Sequence, residues 1–359
     1  MVVHDQDARS RHGRTPWRLL APAAFSRHGN ELSRIPAPPV RRRSPRGPGR
    51  GRLAAMTDPT WMALDIGTHT VLAAVGRAAA GHLEVLDDRQ WFARLGEGVR
   101  SSGRLRPEAI ARALEALAEA RTLAEHHGAR IAAVATRACR EARNAQEFLT
   151  PARAALGAPV EVVTGEREAE LTFRGAASGL GVTERAAWAD VGGGSTEIIV
   201  ADGPTPAAAV STPLGAVALT EAWLHGDPYT PAELQAARDE IRRRLAPLGL
   251  PRLPLVVGIG GTATTLAAVE RRLATYDGSR VHGLRLPRTT LAAHLQALAA
   301  LTLARRSRVP GLAPQRAPVI VAGALVLDEL LSAVGAETLL VSDRGVRHGV
   351  LLDRLGLRD

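Results

Sequence analysis

Two short stretches of the sequence place an aspartate directly before glycine and hydroxyl residues. They read DIGTHT at 65–70 and DVGGGSTE at 190–197, and each follows an apolar run. Glycine leaves neighbouring backbone N–H groups uncovered, and successive amides of this kind form a nest that binds phosphate oxygens. A carboxylate beside bound phosphate needs a cation between them, so Asp65 and Asp190 are predicted to hold Mg²⁺, directly or through water.

A third glycine turn, GIGGT at 258–262, stands directly before a helical pattern, and the N-terminus of a helix favours anions. One such turn alone is weak evidence, because glycine turns after strands are usually only tight turns that an aspartate can cap. Three of them in this order, each after an apolar run, predict phosphate binding. The predicted phosphate-binding residues of the three turns are Gly67, Thr68, His69, Gly192, Gly193, Gly194, Ser195, Gly260, Gly261 and Thr262.

Short apolar runs that alternate with helical patterns position these turns. Residues 107–128 combine a first-turn proline, apolar residues at helical spacing and a terminal glycine, which predicts a helix. Strands are predicted around it at 61–67, 70–77, 82–88, 130–136 and 159–165. Strands alternating with helices indicate an α/β protein with a partly parallel sheet.

The pattern begins again near 180–186. A strand, glycine turn and helix are predicted over 253–270, further strands over 186–194, 196–202, 207–214 and 337–343, and further helices over 215–225, 231–247, 290–306 and 317–334, with a short helix at the end. Each half opens with a strand, an Asp-Gly turn and two more strands, which indicates an internal duplication. We expect two domains, 57–183 and 184–359, that each supply one wall of a single cleft.

The positive charge of the chain is concentrated at its N-terminus. The net charge is +10, but residues 1–55 hold twelve arginines and three acidic residues, and the rest of the chain is nearly neutral. Residues 1–56 show no apolar periodicity and cannot bury enough surface to offset chain entropy, which predicts a disordered Arg/Pro-rich tail or a start upstream of the true first residue, Met56. Because the basic charge lies in this tail, a nucleic acid partner is not expected.

Cysteine content and hydropathy indicate the compartment. Cys139 is the single cysteine, which fits a reducing environment and excludes an intramolecular disulfide. No run of 18 apolar residues exists, and the apolar stretch at 17–25 is too short and interrupted for a secretory signal. These observations predict a cytoplasmic protein without a membrane partner. They leave the oligomeric state, including a homodimer, open.

Seven further motifs narrow the interpretation. They are TRACREARN (136–144), VVTGEREAEL (162–171), STPLGAVALTE (211–221), GIGGTATTLA (258–267), YDGSRVHG (276–283), PGLAPQRAPVIVAGALVL (310–327) and VSDRGVRHGVLL (341–352). With DVGGGSTEIIV they resemble, in order, the exopolyphosphatase / guanosine pentaphosphate phosphohydrolase (Ppx/GppA) family in its short two-domain form, over about 61–355. The resemblance implies two duplicated ribonuclease H-like domains of the actin, sugar-kinase and Hsp70 superfamily.

The resemblance also implies an activity and roles for individual residues. The family hydrolyses terminal phosphate from inorganic polyphosphate or guanosine pentaphosphate, which needs an oriented water, a base and positive charge on the transferred group. Glu168 matches the second Glu of the family motif G-x-E-E-A and is the expected base; a solvated first-turn glutamate is the alternative. Arg140 would bind phosphate with a bidentate fork or form a surface salt bridge, and Glu197 would assist Asp65 and Asp190 with the metal.

The sequence departs from the family pattern at several positions. His69 replaces an Asn and Leu72 an Arg, Arg167 replaces the first Glu of G-x-E-E-A, and His348 stands where an acid is common. His69 predicts activity that varies between pH 6 and 8. Arg167 is expected to lower the pKa of Glu168 or to recruit another phosphate. The changes also allow a second hypothesis, a catalytically weak phosphate-ligand sensor.

Two further positions match the family without an evident physical role. They are Arg280 and His282 in YDGSRVHG, for which structural hydrogen bonding is as good an interpretation as ligand binding. A sugar or acetate kinase of the same superfamily lacks support, since no second-substrate pocket is recognisable beyond the shared turns. The phosphohydrolase and the sensor therefore remain the two hypotheses.

Overall fold

The computed structural model describes residues 18–19 and 59–357. Its strands are β1 Arg18–Leu19, β2 Trp61–Ile66, β3 Val71–Ala79, β4 His82–Trp91, β5 Arg130–Ala135, β6 Val160–Val162, β7 Arg185–Val191, β8 Thr196–Asp202, β9 Thr205–Thr212, β10 Leu255–Ile259, β11 Arg285–Pro287 and β12 Thr338–Ser342. Except for the two residues of β1, the predicted tail at 1–56 lies outside the described residues.

Thirteen α-helices connect these strands in the described part of the chain. They are α1 Val99–Ser102, α2 Pro107–His126, α3 Arg137–Glu141, α4 Ala145–Leu156, α5 Gly165–Ala177, α6 Ala216–Trp223, α7 Pro231–Leu245, α8 Gly260–Glu270, α9 Gly278–Val281, α10 Arg288–Ala299, α11 Leu303–Arg306, α12 Ile320–Val334 and α13 Val346–Leu355. The short helices α1, α3, α9 and α11 and the strand β11 were not separated by the sequence patterns, because three to five residues carry too little periodicity.

The two sheets repeat one strand order. The first sheet runs β4-β3-β2-β5-β6, and the second runs β1-β9-β8-β7-β10-β12-β11. In each half the first strand pairs antiparallel with a hairpin and parallel with the later strands, so β2 and β7 occupy equivalent central positions. The shared order confirms the predicted duplicated α/β architecture of ribonuclease H-like type.

Two helices lie between the sheets and exchange sides. Helix α5 follows the first sheet along the chain, yet its Phe173 packs on the second sheet against Trp188, with ring centroids 5.0 Å apart. Helix α13 ends the second half, yet its Val350 and Leu351 share a core with Ala63 and Leu171 on the side of the first sheet. Each half therefore completes the core of the other, although the chain order suggested two consecutive domains.

The two exchanged helices cross at a glycine contact. A Cβ at Gly349 would overlap the carbonyl oxygen of Leu171, and one at Gly175 would overlap the carbonyl oxygen of Gly345. Only residues without a side chain allow this backbone approach. Because α5 carries Glu168 on its first turn, the crossing also sets where that carboxylate lies relative to the second half.

The predicted helix at 290–306 is wrong in one respect: it is interrupted. Helix α10 ends at Ala299, and α11 begins at Leu303. The buried guanidinium of Arg306 donates to the carbonyl oxygens of Leu298 and Leu301, each at 2.8 Å, which lie at and just beyond the C-terminus of α10. An arginine that turns back onto the preceding helix end explains a break that apolar periodicity does not reveal.

Hydropathy of the observed helices agrees with the sequence. Among the described residues, no helix combines the length and apolar character needed to cross a bilayer.

We predict that Gly349→Ala lowers the free energy of unfolding by about 1–3 kcal/mol or more, because its Cβ would overlap the backbone of α5. Urea-induced unfolding measures the change. Gly165→Ala is the matched control, since a Cβ there meets nothing within 4 Å, and it should leave the midpoint unchanged or slightly raised. Equal midpoints for the two variants would contradict the close crossing.

Candidate active site

The two Asp-Gly turns have the same backbone geometry. Asp65 and Asp190 are the penultimate residues of the equivalent strands β2 and β7. The N–H of Gly67 donates to the carbonyl oxygen of Thr70 at 2.9 Å, and the N–H of Gly192 donates to that of Ser195, also at 2.9 Å. Each half thus brings one carboxylate and one glycine turn to the same end of its sheet.

The two turns meet across the cleft. A Cβ added at Gly193 would lie 2.5 Å from Nε2 of His69, so the imidazole of the first turn lies directly against the glycine of the second. The first turn is held by its own half, since the carbonyl oxygens of Thr68 and His69 accept from the N–H groups of Gly96 and Arg94 at 2.9 Å. The predicted two walls of one cleft are therefore adjacent.

The third turn lies on the second wall. Gly260 has φ 73°, a conformation that favours glycine, and a Cβ there would overlap Oδ1 of Asp190. A Cβ at Gly261 would overlap the guanidinium of Arg316. Thr262 does not reach the cleft: its buried hydroxyl lies against Gly323 of α12, so the structure does not support its side chain as a phosphate donor.

Four carboxylates share the space between the walls. Burial, with a smaller contribution from the charge of Glu168, raises the pKa of both Asp65 and Asp190 to about 7. Asp190 also raises the pKa of Asp65, and Glu197 raises that of Asp190. Four acids that destabilise one another's ionised forms form a site that favours a cation.

Glu168 is held by Arg140. Nη1 of Arg140 donates to Oε2 of Glu168 at 2.6 Å and to the carbonyl oxygen of Val163 at 3.0 Å. Burial raises the pKa of Glu168, and the hydrogen bond from Arg140 opposes that rise. The Glu168 carboxylate, about 30% exposed, is thus partly buried and paired rather than fully solvated. Arg140, predicted to bind phosphate, first positions this glutamate.

Glu197 is hydrogen-bonded to two serine hydroxyl groups of the second wall. Its Oε1 accepts hydrogen bonds from Ser195 and Ser211, each at 2.8 Å. The hydroxyl of Ser195 is therefore turned toward Glu197, next to Asp190 in register. In this arrangement the backbone of the turn, rather than the Ser195 hydroxyl, is available to an anion.

Two arginines near the cleft were missed as site residues. Arg316 lies over Gly261, and its charge acts on both Asp190 and His69. Arg94 adopts φ 49°, an uncommon conformation for a residue with a side chain, and its charge also acts on His69. The motif PQRAP, with an arginine between prolines, was a usable signal for Arg316, whereas nothing in the sequence around Arg94 marked it.

A hard divalent cation fits this donor set only in part. Within residues 59–357, Asp65 Oδ1 is one of two buried side-chain atoms that have no hydrogen-bond partner. No group of three His, Cys, Asp or Glu side chains in the described part of the chain has metal-binding geometry. Mg²⁺ is usually bound by one or two carboxylates together with water and substrate phosphates, so Asp65 and Asp190 suit it without a complete protein cage.

Comparison with known proteins identifies the family. A model of the Ppx/GppA phosphatase family matches residues 74–357. The chain belongs to this family. Exopolyphosphatase 2 of Mycobacterium tuberculosis is 38% identical over 314 residues, which cover 82% of this chain and 98% of that protein. Exopolyphosphatase 1 of Mycobacterium bovis is 31% identical over 307 residues, covering 81% and 87%.

Solved structures of the Ppx/GppA family share the fold. The Aquifex aeolicus family member has a TM-score of 0.74 and 32% identity, and the match covers 83% of this chain and 97% of that one. An exopolyphosphatase from Cytophaga hutchinsonii has a TM-score of 0.74 at 24% identity, covering 83% and 99%, and shows the fold alone. These matches confirm the resemblance that the motifs indicated and the hydrolase class expected from it.

One expectation drawn from a departure from the Ppx/GppA pattern is wrong. Arg167 donates to Asp353 of α13 and forms an ion pair with Glu170 at 2.7 Å, so it joins the exchanged helices instead of recruiting phosphate, and the pKa of Glu168 is raised rather than lowered. The activity expected to vary between pH 6 and 8 through His69 stays a prediction; burial and the charges of Arg94 and Arg316 lower the pKa of that imidazole.

The other two departures are accommodated in the family fold. Leu72 pairs with Asp65 in the register of β2 and β3. In the second half Glu197 pairs with Asp190 in the same way, so Leu72 and Glu197 occupy equivalent positions. His348 is buried, and Nε2 lies 3.6 Å from the Asp88 carboxylate. Burial holds its pKa well below the usual range, so His348 acts there as a neutral ring.

We predict that Asp65→Asn stabilises the metal-free protein at neutral and higher pH. Asp65 has a folded pKa of about 7 against an ordinary value of 3.8, so between these values the folded state holds more protons and its stability falls as pH rises. Asn removes this loss. In the presence of a chelator, the advantage in thermal midpoint should be absent below about pH 3.8 and complete above about pH 7.

Exposed Asp239→Asn serves as the control and should show no such growth with pH. Adding Mg²⁺ provides the second readout, because the parent should gain thermal stability and Asp65→Asn should gain less. A constant difference between Asp65→Asn and the parent from pH 5 to 8 would contradict the buried carboxylate.

Proposed function

We propose that the protein releases terminal phosphate from inorganic polyphosphate by attack of a water molecule that Glu168 activates. The observation that supports this is the position of Glu168: its carboxylate interacts electrostatically with both Asp65 and Asp190, at the cleft where the two glycine turns meet. Guanosine pentaphosphate is the second substrate considered, because it presents the same terminal phosphoanhydride.

Glu168 has the properties of a general base. Burial raises its pKa toward neutrality, and a base with a pKa nearer the working pH accepts a proton more effectively. Arg140 fixes one carboxylate oxygen, Oε2, at 2.6 Å, and leaves Oε1 to orient water. We infer that Arg140 positions the base and limits the rise of its pKa.

Positive charge for the transferred phosphoryl group would come from residues and backbone around the cleft. Backbone N–H groups of the two turns and the guanidinium of Arg316 surround the space next to Asp190. Phosphoryl transfer is accelerated mainly by positioning and by charge stabilisation of the equatorial oxygens, which preorganised N–H groups and arginine provide. Neutral His69 would add one hydrogen bond from its ring.

Asp65 and Asp190 are the residues that would hold Mg²⁺. When bound, the cation would neutralise phosphate oxygens as a Lewis acid. The pairing of two buried carboxylates with raised pKa values gives the reason for the metal, because a cation removes the mutual repulsion that protonation otherwise relieves.

We predict that Glu168→Gln reduces kcat for phosphate release by about 10²–10⁴-fold, because the amide cannot accept the proton of the attacking water. The measurement is phosphate release with Mg²⁺ from tripolyphosphate, long-chain polyphosphate and guanosine pentaphosphate. Glu166→Gln is the matched control, since it removes an exposed carboxylate from the same first turn of α5 and should leave kcat within about twofold.

The same assay separates an enzyme from a sensor. Phosphate release by the parent that falls in Glu168→Gln supports the hydrolase. Tight polyphosphate binding by the parent without release would overturn it and favour a phosphate-ligand sensor. Equal losses in Glu166→Gln and Glu168→Gln would indicate a helix effect and not a base.

We predict that Arg140→Gln moves the acid limb of the kcat/KM profile to higher pH. The hydrogen bond and charge of Arg140 lower the pKa of Glu168, so removing them raises that pKa, and a higher pH is then needed to ionise the base. Phosphate release measured from pH 5 to 9 gives the profile. Exposed Arg153→Gln should leave it unchanged, and an unshifted limb in Arg140→Gln would remove Glu168 as the titrating base.

A further inference from the structure

A cavity of about 520 Å³ lies on the second half, outside the carboxylate cluster. Three arginines line it, one after α8, one in α9 and one at the start of β11, together with Ser279 and His282. They are Arg271, Arg280 and Arg285. No carboxylate residue contributes to the lining, so the cavity is positively charged although residues 56–359 as a whole are nearly neutral.

Three carboxylates near the cavity, in sequence or in space, have partners other than the cavity arginines. Glu270 pairs with His294 at 2.7 Å, and Asp277 accepts from the hydroxyl of Ser279 at 2.6 Å. Asp343 accepts from the hydroxyl of Tyr276. Among the ion pairs of residues 59–357, none involves the three cavity arginines. The three arginines are exposed, so water partly screens their mutual repulsion, and an anionic ligand would supply the counter-charge that the lining lacks.

His282 forms a fixed, neutral wall of the cavity. Its Nε2 lies 3.1 Å from the carbonyl oxygen of Ser178, to which it donates, and its Nδ1 accepts from the N–H of Asp343 at 3.3 Å. Burial lowers the pKa of His282 to about 4, so it is uncharged at neutral pH. The charge of the cavity therefore comes from the guanidiniums alone and does not change with pH in the physiological range.

The cavity is connected to the proposed site by helix α8. The first residue of α8, Gly260, adjoins Asp190. Its last residue, Glu270, directly precedes Arg271. Eleven residues of helix span about 16 Å. The segment that returns from Arg271 carries Tyr276, an uncharged phenol close enough to interact with Arg316 over Gly261. A ligand that reaches both places must therefore be an extended chain, longer than tripolyphosphate.

We propose that this cavity is an accessory site for a run of phosphoryl groups, which Arg271, Arg280 and Arg285 bind. Guanidinium presents a planar fork of donors that matches phosphate oxygens in pairs, so three of them suit consecutive phosphates better than a single small anion. The inference rests on the proposed function for one of its two sources, the distal part of a polyphosphate chain whose end lies in the cleft. The other source is a separate short phosphate compound.

The test is the triple variant Arg271→Gln/Arg280→Gln/Arg285→Gln. Its charge-matched control is Arg153→Gln/Arg305→Gln/Arg308→Gln, which removes three exposed arginines away from the cavity. Binding of tripolyphosphate and long-chain polyphosphate is measured by calorimetry with Mg²⁺ in a Glu168→Gln background, so that the polymer is not consumed. Phosphate release is measured with Glu168 intact.

Loss of affinity for long-chain polyphosphate by about tenfold or more in the cavity variant alone, with tripolyphosphate unchanged, assigns the site to the distal chain. A second tripolyphosphate bound by the parent and lost in the cavity variant assigns it to a separate phosphate compound. Identical binding by the cavity and control variants overturns the inference. Absence of turnover with cavity binding retained would overturn the proposed function alone.

Discussion

Four partly buried carboxylates near one another are the constraint on which this structure depends. Asp65, Glu168, Asp190 and Glu197 come from two sheets and an intervening helix, and their charges disfavour one another's ionised forms. Arg347 opposes this effect at Asp65, Arg140 at Glu168 and Arg316 at Asp190. The remaining negative charge makes the site one that favours a cation.

The exchange of α5 and α13 maintains this geometry. A helix that carried Glu168 on one domain alone could move with that domain and away from the other Asp-Gly turn. Here Phe173 of α5 contacts the second sheet, and Gly175 of α5 contacts the N-terminal part of α13. Helix α13 in turn completes the core of the first half. Arg167 adds an ion pair to Asp353 across the same helices. Its departure from the family motif thus contributes to the assembly that positions Glu168, one residue away from it.

Net charge and local charge differ in this protein for a structural reason. Seven arginines in the described part of the second half form ion pairs, as Arg238 and Arg242 do with Glu329, and such pairs cancel in the sum. The cavity formed by α8, α9 and β11 gathers arginines from three elements without acidic partners. Residues 56–359, nearly neutral in sum, can therefore carry a local surface suited to a polyanion, although their composition alone argued against one.

The sequence alone predicted the succession of strands and helices in each half, the duplicated turns and Glu168 as the expected base, because these predictions depend on residues close together in the chain. Apolar periods of two and 3.6 and glycines after strands are local signals. Only the tertiary structure decided that Arg316 lies beside Asp190, that Arg167 faces Asp353 and not phosphate, that Thr262 turns toward α12 and that α13 packs on the first sheet. These facts depend on contacts between residues far apart in the chain, such as Arg347 donating to Asp88 at 2.9 Å over 259 positions. Burial, which sets the pKa of His69 and of the carboxylates, is a property of that packing and has no local signature.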